Sequence, residues 1–260
     1  MTLTSTMATR ISDKQSHRLV CSEIWGGTGA IDQEVSTAGL TASISSIAVG
    51  GEQGGDIHYL SYCRYDFLTR IAIADVRGHG ESVTLVSSWV YAAVQAQMNT
   101  LDGDRILSEL NGRIQTKGLE AMTTAAVLSH DRIRQRLYFC YAGHPPAMVW
   151  RPAQGWSRLE IEDEQDASNL PLGVRASATY KQAHIDVATE DRIVVFTDGL
   201  LDAEDSDGEA FGEERLLLVL NRECGLSTSA IKYAILDGLL AHTGSAPLED
   251  DLTVLVAEIR

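Results

Sequence analysis

The stretch IAIADVRGHG, residues 71–80, alternates isoleucine with alanine, reaches Asp75 and then turns through two glycines. An alternation with a period of two is typical of a β-strand, because successive side chains of a strand point to opposite faces. Glycine permits the sharp bend that follows. The stretch therefore predicts a buried strand whose end presents a carboxylate.

Eight segments in all carry this alternation, and turn-forming residues lie between them. They are rich in β-branched and aromatic residues, which favour strands, mostly antiparallel. The predicted strands are residues 41–49, 57–63, 67–74, 123–130, 136–142, 147–152, 192–197 and 252–259.

Apolar residues recur at three- and four-residue steps between residues 81 and 101, which predicts a helix with one apolar face. A second helix is predicted near residues 105–115, and two more over residues 213–224 and 227–242. The last of these begins with a candidate Ser or Thr cap. Groups of strands separated by helices favour an α+β sandwich.

The composition of the 260 residues limits the possible partners. Asp and Glu number 36 against 21 Lys and Arg, and the formal net charge of −15 repels nucleic-acid phosphates. No apolar run reaches the about 18 residues of a membrane span, and the N-terminal segment lacks the apolar core of a signal peptide. We therefore expect a cytoplasmic protein that binds neither nucleic acid nor membrane.

The domain organisation is expected to be simple. Residues 1–20 are polar and rich in Ser and Thr, which is typical of a loosely ordered N-terminal arm. No linker divides the rest, so residues 21–260 are expected to form a single domain. The four cysteines are far apart and form no CxxC pair, which favours reduced thiols.

Two aspartates flank a predicted hairpin. The strands 57–63 and 67–74 are joined by the short connector RYD, a length typical of a hairpin turn. Asp56 comes just before the first strand and Asp75 just after the second. Because a hairpin places the start of one strand beside the end of the next, these carboxylates are expected at the same rim.

A second pair of aspartates lies at the ends of two other predicted strands. Asp198 follows residues 192–197, and Asp250 with Asp251 precedes residues 252–259. If these strands are antiparallel neighbours, Asp198 and Asp250 also meet at one rim. Four carboxylates in one place repel one another, and two divalent cations would remove that cost.

Each of these features also has a purely structural interpretation. Asp-Gly at 198–199 is a common turn, EDD at 249–251 can be a solvated acidic bend, and QGGD and RGHG can be flexible turns. The AGHPP motif, between the strands 136–142 and 147–152, is expected to be a turn made rigid by its prolines. The shared position of the aspartates at strand ends is what favours a common site.

Six motifs follow one another along the chain. They are GGD (54–56), ADVRGHG (74–80), AGHPP (142–146), SNLPLGV (168–174), TDGLLDAED (197–205) and DDLTVLV (250–256). With these motifs, the chain resembles the metal-dependent protein phosphatases (PPM), and within them the SpoIIE-like bacterial serine phosphatases. The resemblance implies a β-sandwich of two antiparallel sheets flanked by helices, with a two-metal centre at one end.

The resemblance also implies a ligand set. Asp75 would bridge two ions. Asp56 and the backbone carbonyl of Val76 would hold one of them, and Asp198 with Asp250 would hold the other. Asp75 and Asp198 are the expected catalytic residues. Ligation by oxygen alone favours Mn²⁺ or Mg²⁺.

The reaction implied is hydrolysis of phosphoserine or phosphothreonine. A water that bridges two such ions can lose a proton near neutral pH, and the hydroxide would attack phosphorus in line. Relatives often act on a phosphorylated regulatory protein of the anti-sigma antagonist type. They also commonly carry an N-terminal sensor domain, which residues 1–20 are not expected to form, so a separate regulatory partner or a homodimer is expected to provide control in signal transduction.

Several positions depart from the family pattern or have no settled role. Tyr59 stands where many relatives carry a second acidic residue. Arg77 replaces a small residue and is a candidate for binding the substrate phosphate or for pairing with a surface carboxylate. His79 is a second phosphate-binding candidate, and His79 and His144 could protonate the leaving oxygen or orient a turn. Asp251 is expected to support the ligands.

Two other functions remain open from the sequence. One is a catalytically weak module that keeps the fold to bind a phosphoprotein or regulator, and Tyr59 favours this alternative. The other is a phosphatase of small phosphate esters. The four aspartates favour the metal-dependent protein phosphatase over both.

Overall fold

The computed structural model describes residues 16–63, 65–78, 81–97, 102–161, 169–223, 225–244 and 246–260. In these ranges two β-sheets pack face to face, and helices cover their outer surfaces. His79 lies outside the described residues.

Seven strands form the first sheet, in the spatial order β1-β3-β4-β13-β12-β9-β10. They are β1 (Ser16–Arg18), β3 (Ile31–Ser36), β4 (Leu40–Ile47), β9 (Met148–Arg151), β10 (Gly155–Arg158), β12 (Arg192–Phe196) and β13 (Leu252–Ile259). Six strands form the second sheet, in the order β11-β8-β7-β6-β5-β2. They are β2 (Ile24–Gly29), β5 (Gln53–Tyr62), β6 (Leu68–Val76), β7 (Thr123–Asp131), β8 (Arg136–Ala142) and β11 (Gln182–Asp186).

The predicted sandwich of two sheets flanked by helices is confirmed, with one correction. Among the described strands, β1 pairs with β3 in parallel, so the first sheet is mixed, whereas the other pairings are antiparallel. β1 and the buried Leu19 lie inside the stretch that the sequence assigned to a loose arm. Backbone pairing with β3 orders residues 16–18 although their composition is polar.

The helices form the outer layers. α1 (Glu81–Gln95) and α2 (Gly103–Gln115) pack on the second sheet, and α4 (Gly212–Arg222) and α5 (Thr228–Thr243) pack on the first. A short helix, α3 (Asp198–Leu201), follows β12. The predicted cap of α5 is Ser227, whose side chain accepts a hydrogen bond from the Ala230 backbone N–H at 3.3 Å.

The alternation in residues 71–75 assigns each side chain to a layer. Ile71 and Ile73 lie in the apolar core between the sheets, whereas Ala72 and Ala74 face the layer of α1 and α2. The same alternation turns Asp75 toward the space between the sheets. β6 therefore carries a carboxylate to one end of the inter-sheet core.

A buried histidine in this core makes the fold sensitive to acid. His130 on β7 is 1% exposed, and neither ring nitrogen has a hydrogen-bond partner in the described ranges. Burial lowers the pKa of His130 to about 4, against the opposing effect of Asp131. The unfolded chain therefore binds a proton where the folded chain does not. The stability due to the neutral ring is complete above the unfolded pKa of about 6.5 and is lost as the pH falls below it.

Replacing His130 by leucine should make the fold less sensitive to acid. Between pH 7 and pH 5, we expect the free energy of unfolding to fall by about 2 kcal/mol less in the variant than in the wild type. Urea denaturation at both pH values measures this difference. His184→Gln changes an exposed histidine of β11 and should behave as the wild type. Equal losses in His130→Leu and wild type would contradict the prediction.

None of the helices in the described ranges is both long enough and apolar enough to cross a lipid bilayer.

Candidate metal centre

Asp56 and Asp75 face each other on neighbouring strands. They are direct partners in the antiparallel ladder of β5 and β6, which is the proximity that the hairpin predicts. Both lie inside their strands and not just beyond the ends, because the backbone ladder continues past the apolar alternation. Asp56 is only 3% exposed.

The backbone at Gly55 brings two predicted ligand oxygens together. A Cβ atom at this position would lie 2.5 Å from the carbonyl oxygen of Val76 and 3.2 Å from Oδ1 of Asp75. The first distance is too short for any side chain, so the close approach requires glycine. Both oxygens thus border the same small volume beside Gly55, as ligands of one ion would.

Asp198 and Asp250 reach this end from the first sheet. β12 and β13 are antiparallel neighbours, which is the condition on which the sequence argument depends. The helix α3 begins at Asp198, and Gly199 packs so closely on the chain before β13 that a Cβ atom would collide with the carbonyl oxygen of Asp251. The same Cβ would lie 3.7 Å from Cβ of Asp250.

The electrostatics show that the carboxylates of the two sheets influence one another. Burial raises the pKa of Asp75 to about 8, and repulsion from Asp198, Asp250 and Asp251 adds to this effect. Burial and the charge of Asp75 raise the pKa of Asp56 well above its usual range. The pKa of Asp198 is also raised, by burial and then by Asp202. Asp75 of the second sheet therefore lies close enough to Asp198 and Asp250 of the first to be repelled by them, and this end of the sandwich is deficient in positive charge.

One oxygen of Asp56 is held and the other is left open. Its Oδ2 accepts a hydrogen bond from Oγ1 of Thr197 at 2.9 Å, and that hydroxyl accepts one from the Thr253 backbone N–H at 2.9 Å. Its Oδ1 is buried and has no hydrogen-bond partner among the described residues. A buried carboxylate oxygen without a donor is costly, and a cation would satisfy it. This donor set fits a hard divalent ion.

Asp251 supports the site through the backbone. Its Oδ2 accepts a hydrogen bond from the Gly55 N–H at 2.5 Å, and its Oδ1 accepts one from the Val49 N–H at 2.6 Å. A Cβ atom at Gly54 would collide with this carboxylate. Asp251 thereby joins β13 of the first sheet to β5 of the second, directly beside Asp56.

A cavity of about 540 Å³ opens at this end of the sandwich. Gly199 and Asp250 line it, together with further acidic residues that include Asp202, Glu204 and Glu249. In the described part of the chain, no three His, Cys, Asp or Glu side chains are already grouped to hold an ion. The aspartates thus share one end of the sandwich without closing a cage of three carboxylates.

The structure shows the surroundings of Tyr59 and Arg77, the two positions that depart from the family pattern. Tyr59 is fully buried on the helix-facing side of β5, where its ring lies 6.5 Å from that of Tyr91 in an edge-on contact. It points away from the face that carries Asp56, because the two residues are an odd number apart along the strand. Arg77 is exposed just beyond β6 and makes no ion pair with the described residues, so the predicted surface pairing is not found there.

The AGHPP motif differs from its expected role. It does not turn between neighbouring strands: β8 belongs to the second sheet and β9 to the first, so the motif crosses from one sheet to the other. A turn within one sheet and a crossover between two sheets give the same sequence pattern, namely two strands joined by a short connector with prolines. Only the assignment of each strand to a sheet distinguishes them.

Several residues at the site had no role in the sequence argument. Gly54, Gly55 and Thr197 lie within motifs, but their function depends on contacts with distant parts of the chain. The glycine pair beside Asp56 is the signal in the sequence that another part of the chain packs closely against the backbone at this point. No signal in the sequence connects Thr197 with Asp56.

Comparison with known proteins identifies the family. The family model described as Stage II sporulation protein E (SpoIIE) matches residues 66–260. The chain is 28% identical over 138 residues to phosphoserine phosphatase RsbP of Bacillus subtilis (strain 168), a match that covers 51% of this chain and 33% of RsbP. It is 26% identical over 217 residues to phosphoserine phosphatase RsbU of the same organism, covering 82% of this chain and 62% of RsbU. The chain thus spans less than two thirds of either relative.

Solved structures share the fold. The SiaA-PP2C domain of Pseudomonas aeruginosa has a TM-score of 0.73 at 21% identity, covering 84% of this chain and 86% of that domain. The catalytic domain of the serine/threonine protein phosphatase PstP, solved with two manganese ions, has a TM-score of 0.57 at 17% identity, covering 85% of this chain and 98% of that domain. Because the family model matches well over half of the residues of this chain, the chain belongs to the Stage II sporulation protein E (SpoIIE) family.

Proposed function

We propose that this chain is a divalent-metal-dependent serine/threonine protein phosphatase. The observation that supports the proposal is that Asp75, the ladder partner of Asp56 in one sheet, is near enough to Asp198 and Asp250 of the other sheet to be repelled by them. The raised pKa values of Asp56, Asp75 and Asp198, and the Oδ1 of Asp56 that has no hydrogen-bond partner among the described residues, are typical of carboxylates arranged for cations. The named phosphatases among the relatives support this chemistry.

We assign two Mn²⁺ or Mg²⁺ ions to this site. Asp75 would contact both, with Asp56 and the Val76 carbonyl on one side and Asp198 and Asp250 on the other. When bound, such ions would activate water and neutralise the charge that develops on the transferred phosphoryl group. The manganese ions of the similar PstP domain support the choice of metal.

The residues of the chain itself position the ligands and the substrate. Thr197 holds one oxygen of Asp56 so that the other faces the site, and Asp251 fixes the backbone of Gly55 beside Asp75. Arg77 lies just beyond the strand that carries Asp75, and its exposed guanidinium is suited to hold the substrate phosphate through paired hydrogen bonds. The cavity lined by Gly199 and Asp250 lies next to the proposed ligands of the first sheet.

The substrate we propose is a phosphoserine or phosphothreonine of a regulatory protein. RsbP and RsbU are both described as phosphoserine phosphatases, and the open acidic cavity leaves room for a segment of polypeptide. A separate regulatory partner or a second copy of the chain would provide control.

Metal removal tests the function. Wild-type protein stripped with a chelator should hydrolyse neither an aryl phosphate nor a phosphoserine peptide, and Mn²⁺ should restore both activities. We expect a difference on the order of 10³-fold or more, because metal ions contribute several kcal/mol of transition-state stabilisation. Hydrolysis that is the same with and without metal would refute the proposal.

The same assay separates the alternatives. A chain that binds Mn²⁺ and a phosphopeptide but hydrolyses nothing would be the catalytically weak binding module, which the open grouping of the aspartates also allows. Tyr59 no longer favours that module, since its side chain faces the helices. Hydrolysis of aryl phosphate without hydrolysis of any phosphopeptide would indicate an esterase for small molecules.

A further inference from the structure

His144 occupies the crossover that joins the two sheets. The AGHPP motif leaves β8 in the second sheet and enters β9 in the first, and His144 within it is 5% exposed. Gly143 before it has a φ of 64°, and a Cβ atom there would collide with the ring of Pro171. Two prolines follow. The backbone that carries the imidazole is therefore held tightly.

The imidazole contacts both sheets next to the metal ligands. Its Nδ1 is 3.0 Å from Oγ1 of Thr124, and Thr124 is the direct partner of Asp75 in the ladder of β6 and β7. Phe196 is the last residue of β12 and lies two residues before Asp198. Its carbonyl lies close enough to the imidazole to favour the protonated ring. Nε2 nevertheless completes no hydrogen bond with the described residues. Burial still dominates and lowers the pKa of His144 to about 3. The ring is therefore neutral and brings no charge that would repel a cation.

The geometry of the sandwich explains why such a contact is needed. Apolar packing between the sheets sets their separation, but because it is non-directional it fixes the position of an individual side chain less sharply than a hydrogen bond does. The ligands proposed for one of the two ions come from both sheets: Asp75 from the second, and Asp198 and Asp250 from the first. A polar contact at this end can therefore limit the movement of one ligand-bearing strand relative to the other.

We infer that His144 is a positioning residue that sets the distance between Asp75 and Asp198 and thereby the affinity of the metal centre. The inference rests on the proposed function, since it assigns His144 a role toward the ions of that site. Partners of metal ligands contribute about 10–100-fold to metal affinity. His144 acts one contact further away, through Thr124 and the end of β12.

Direct metal binding tests the inference without relying on catalysis. Mn²⁺ affinity is measured on the purified full chain from the electron paramagnetic resonance signal of free Mn²⁺. His144→Ala should weaken the affinity by about tenfold or more. Thr124→Val, which removes only the hydroxyl, should weaken it in the same direction. His144→Asn, which keeps a polar group near Thr124, should recover part of the loss.

A matched control separates positioning from general stability. His130→Ala removes another buried histidine of β7, six residues along the strand from Thr124 and thus away from the proposed ligands, so it should lower the free energy of unfolding without changing the Mn²⁺ affinity. Amide hydrogen exchange of the metal-free chain adds a second readout. In His144→Ala, and not in His130→Ala, exchange should accelerate at the ends of β6 and β12.

The outcomes distinguish this inference from the proposed function. Wild-type Mn²⁺ affinity in both His144→Ala and Thr124→Val would overturn it, whatever their activity. If His144→Ala does not fold, the affinities of Thr124→Val and His144→Asn decide the result in the same way. A wild type that binds Mn²⁺ but hydrolyses no phosphate would refute the phosphatase, while a weakened affinity in the variants would still support the positioning role.

Discussion

Replacing Asp75 by asparagine should abolish metal-dependent hydrolysis while leaving the metal-free chain at least as stable as the wild type. Asp75 is the carboxylate that the charges of Asp198, Asp250 and Asp251 oppose. Because burial and these charges raise the pKa of Asp75 to about 8, the metal-free carboxyl is held protonated near neutral pH at a cost in folding free energy, and a neutral side chain of the same shape avoids that cost. The substitution also removes the negative charge that would attract two ions. We expect activity to fall on the order of 10³-fold or more.

Three measurements check this prediction. They are aryl phosphate hydrolysis across a range of Mn²⁺ concentrations, Mn²⁺ affinity, and urea denaturation in the presence of a chelator. Asp186→Asn is the matched control, because it makes the same charge change at a side chain that is 82% exposed. It should keep wild-type activity. Undiminished Mn²⁺ binding and hydrolysis in Asp75→Asn would remove Asp75 from the centre of the site.

Replacing Gly199 by alanine should destabilise the fold and inactivate the site together. The new Cβ atom would overlap the backbone carbonyl of Asp251, and backbone cannot move aside as a flexible side chain can. Either α3 shifts, carrying Asp198 with it, or the start of β13 shifts, carrying Asp250. We expect a loss of about 3 kcal/mol or more in the free energy of unfolding, measured by urea denaturation.

Gly112→Ala is the matched control. This glycine lies in α2, is exposed, and has open space where a Cβ atom would be. Alanine should therefore stabilise the chain by about 1 kcal/mol through helix propensity. We therefore expect alanine to raise the free energy of unfolding at position 112 and to lower it at position 199, although both glycines lie in helices. A stable and fully active Gly199→Ala would show that the close approach is not required.

The long strands could be predicted because their side chains alternate between two buried layers. β6, β7, β8 and β13 are all bounded by residues close to those predicted. Five strands were missed, and they are short, polar or rich in glycine: β1, β2, β3, β10 and β11. These strands are held by backbone pairing with a neighbour, which leaves little trace in the pattern of apolar residues.

The helices α2, α4 and α5 were predicted within about two residues of their ends, whereas α1 ends at Gln95, well before the predicted end at residue 101, and α3 was not predicted. Residues 98–101 of the first prediction lie outside the described residues. A four-residue helix after a strand resembles the Asp-Gly turn that the sequence suggested. Its position depends on the contact between Gly199 and the chain before β13, which comes from about fifty residues later in the sequence. The expected single domain over residues 21–260, the cytoplasmic location and the roles of the metal ligands remain predictions.

The amino-acid sequence by itself determined which side chains point inward along each strand and which aspartates meet within a sheet. Both follow from local rules, namely the alternation of side chains and the pairing of antiparallel neighbours. Only the tertiary structure decided how the two sheets lie against each other. It thereby made AGHPP a crossover and placed Asp251 against Gly55. The physical reason is that contacts between sheets depend on the packing of many side chains at once, and no short segment of the chain encodes them.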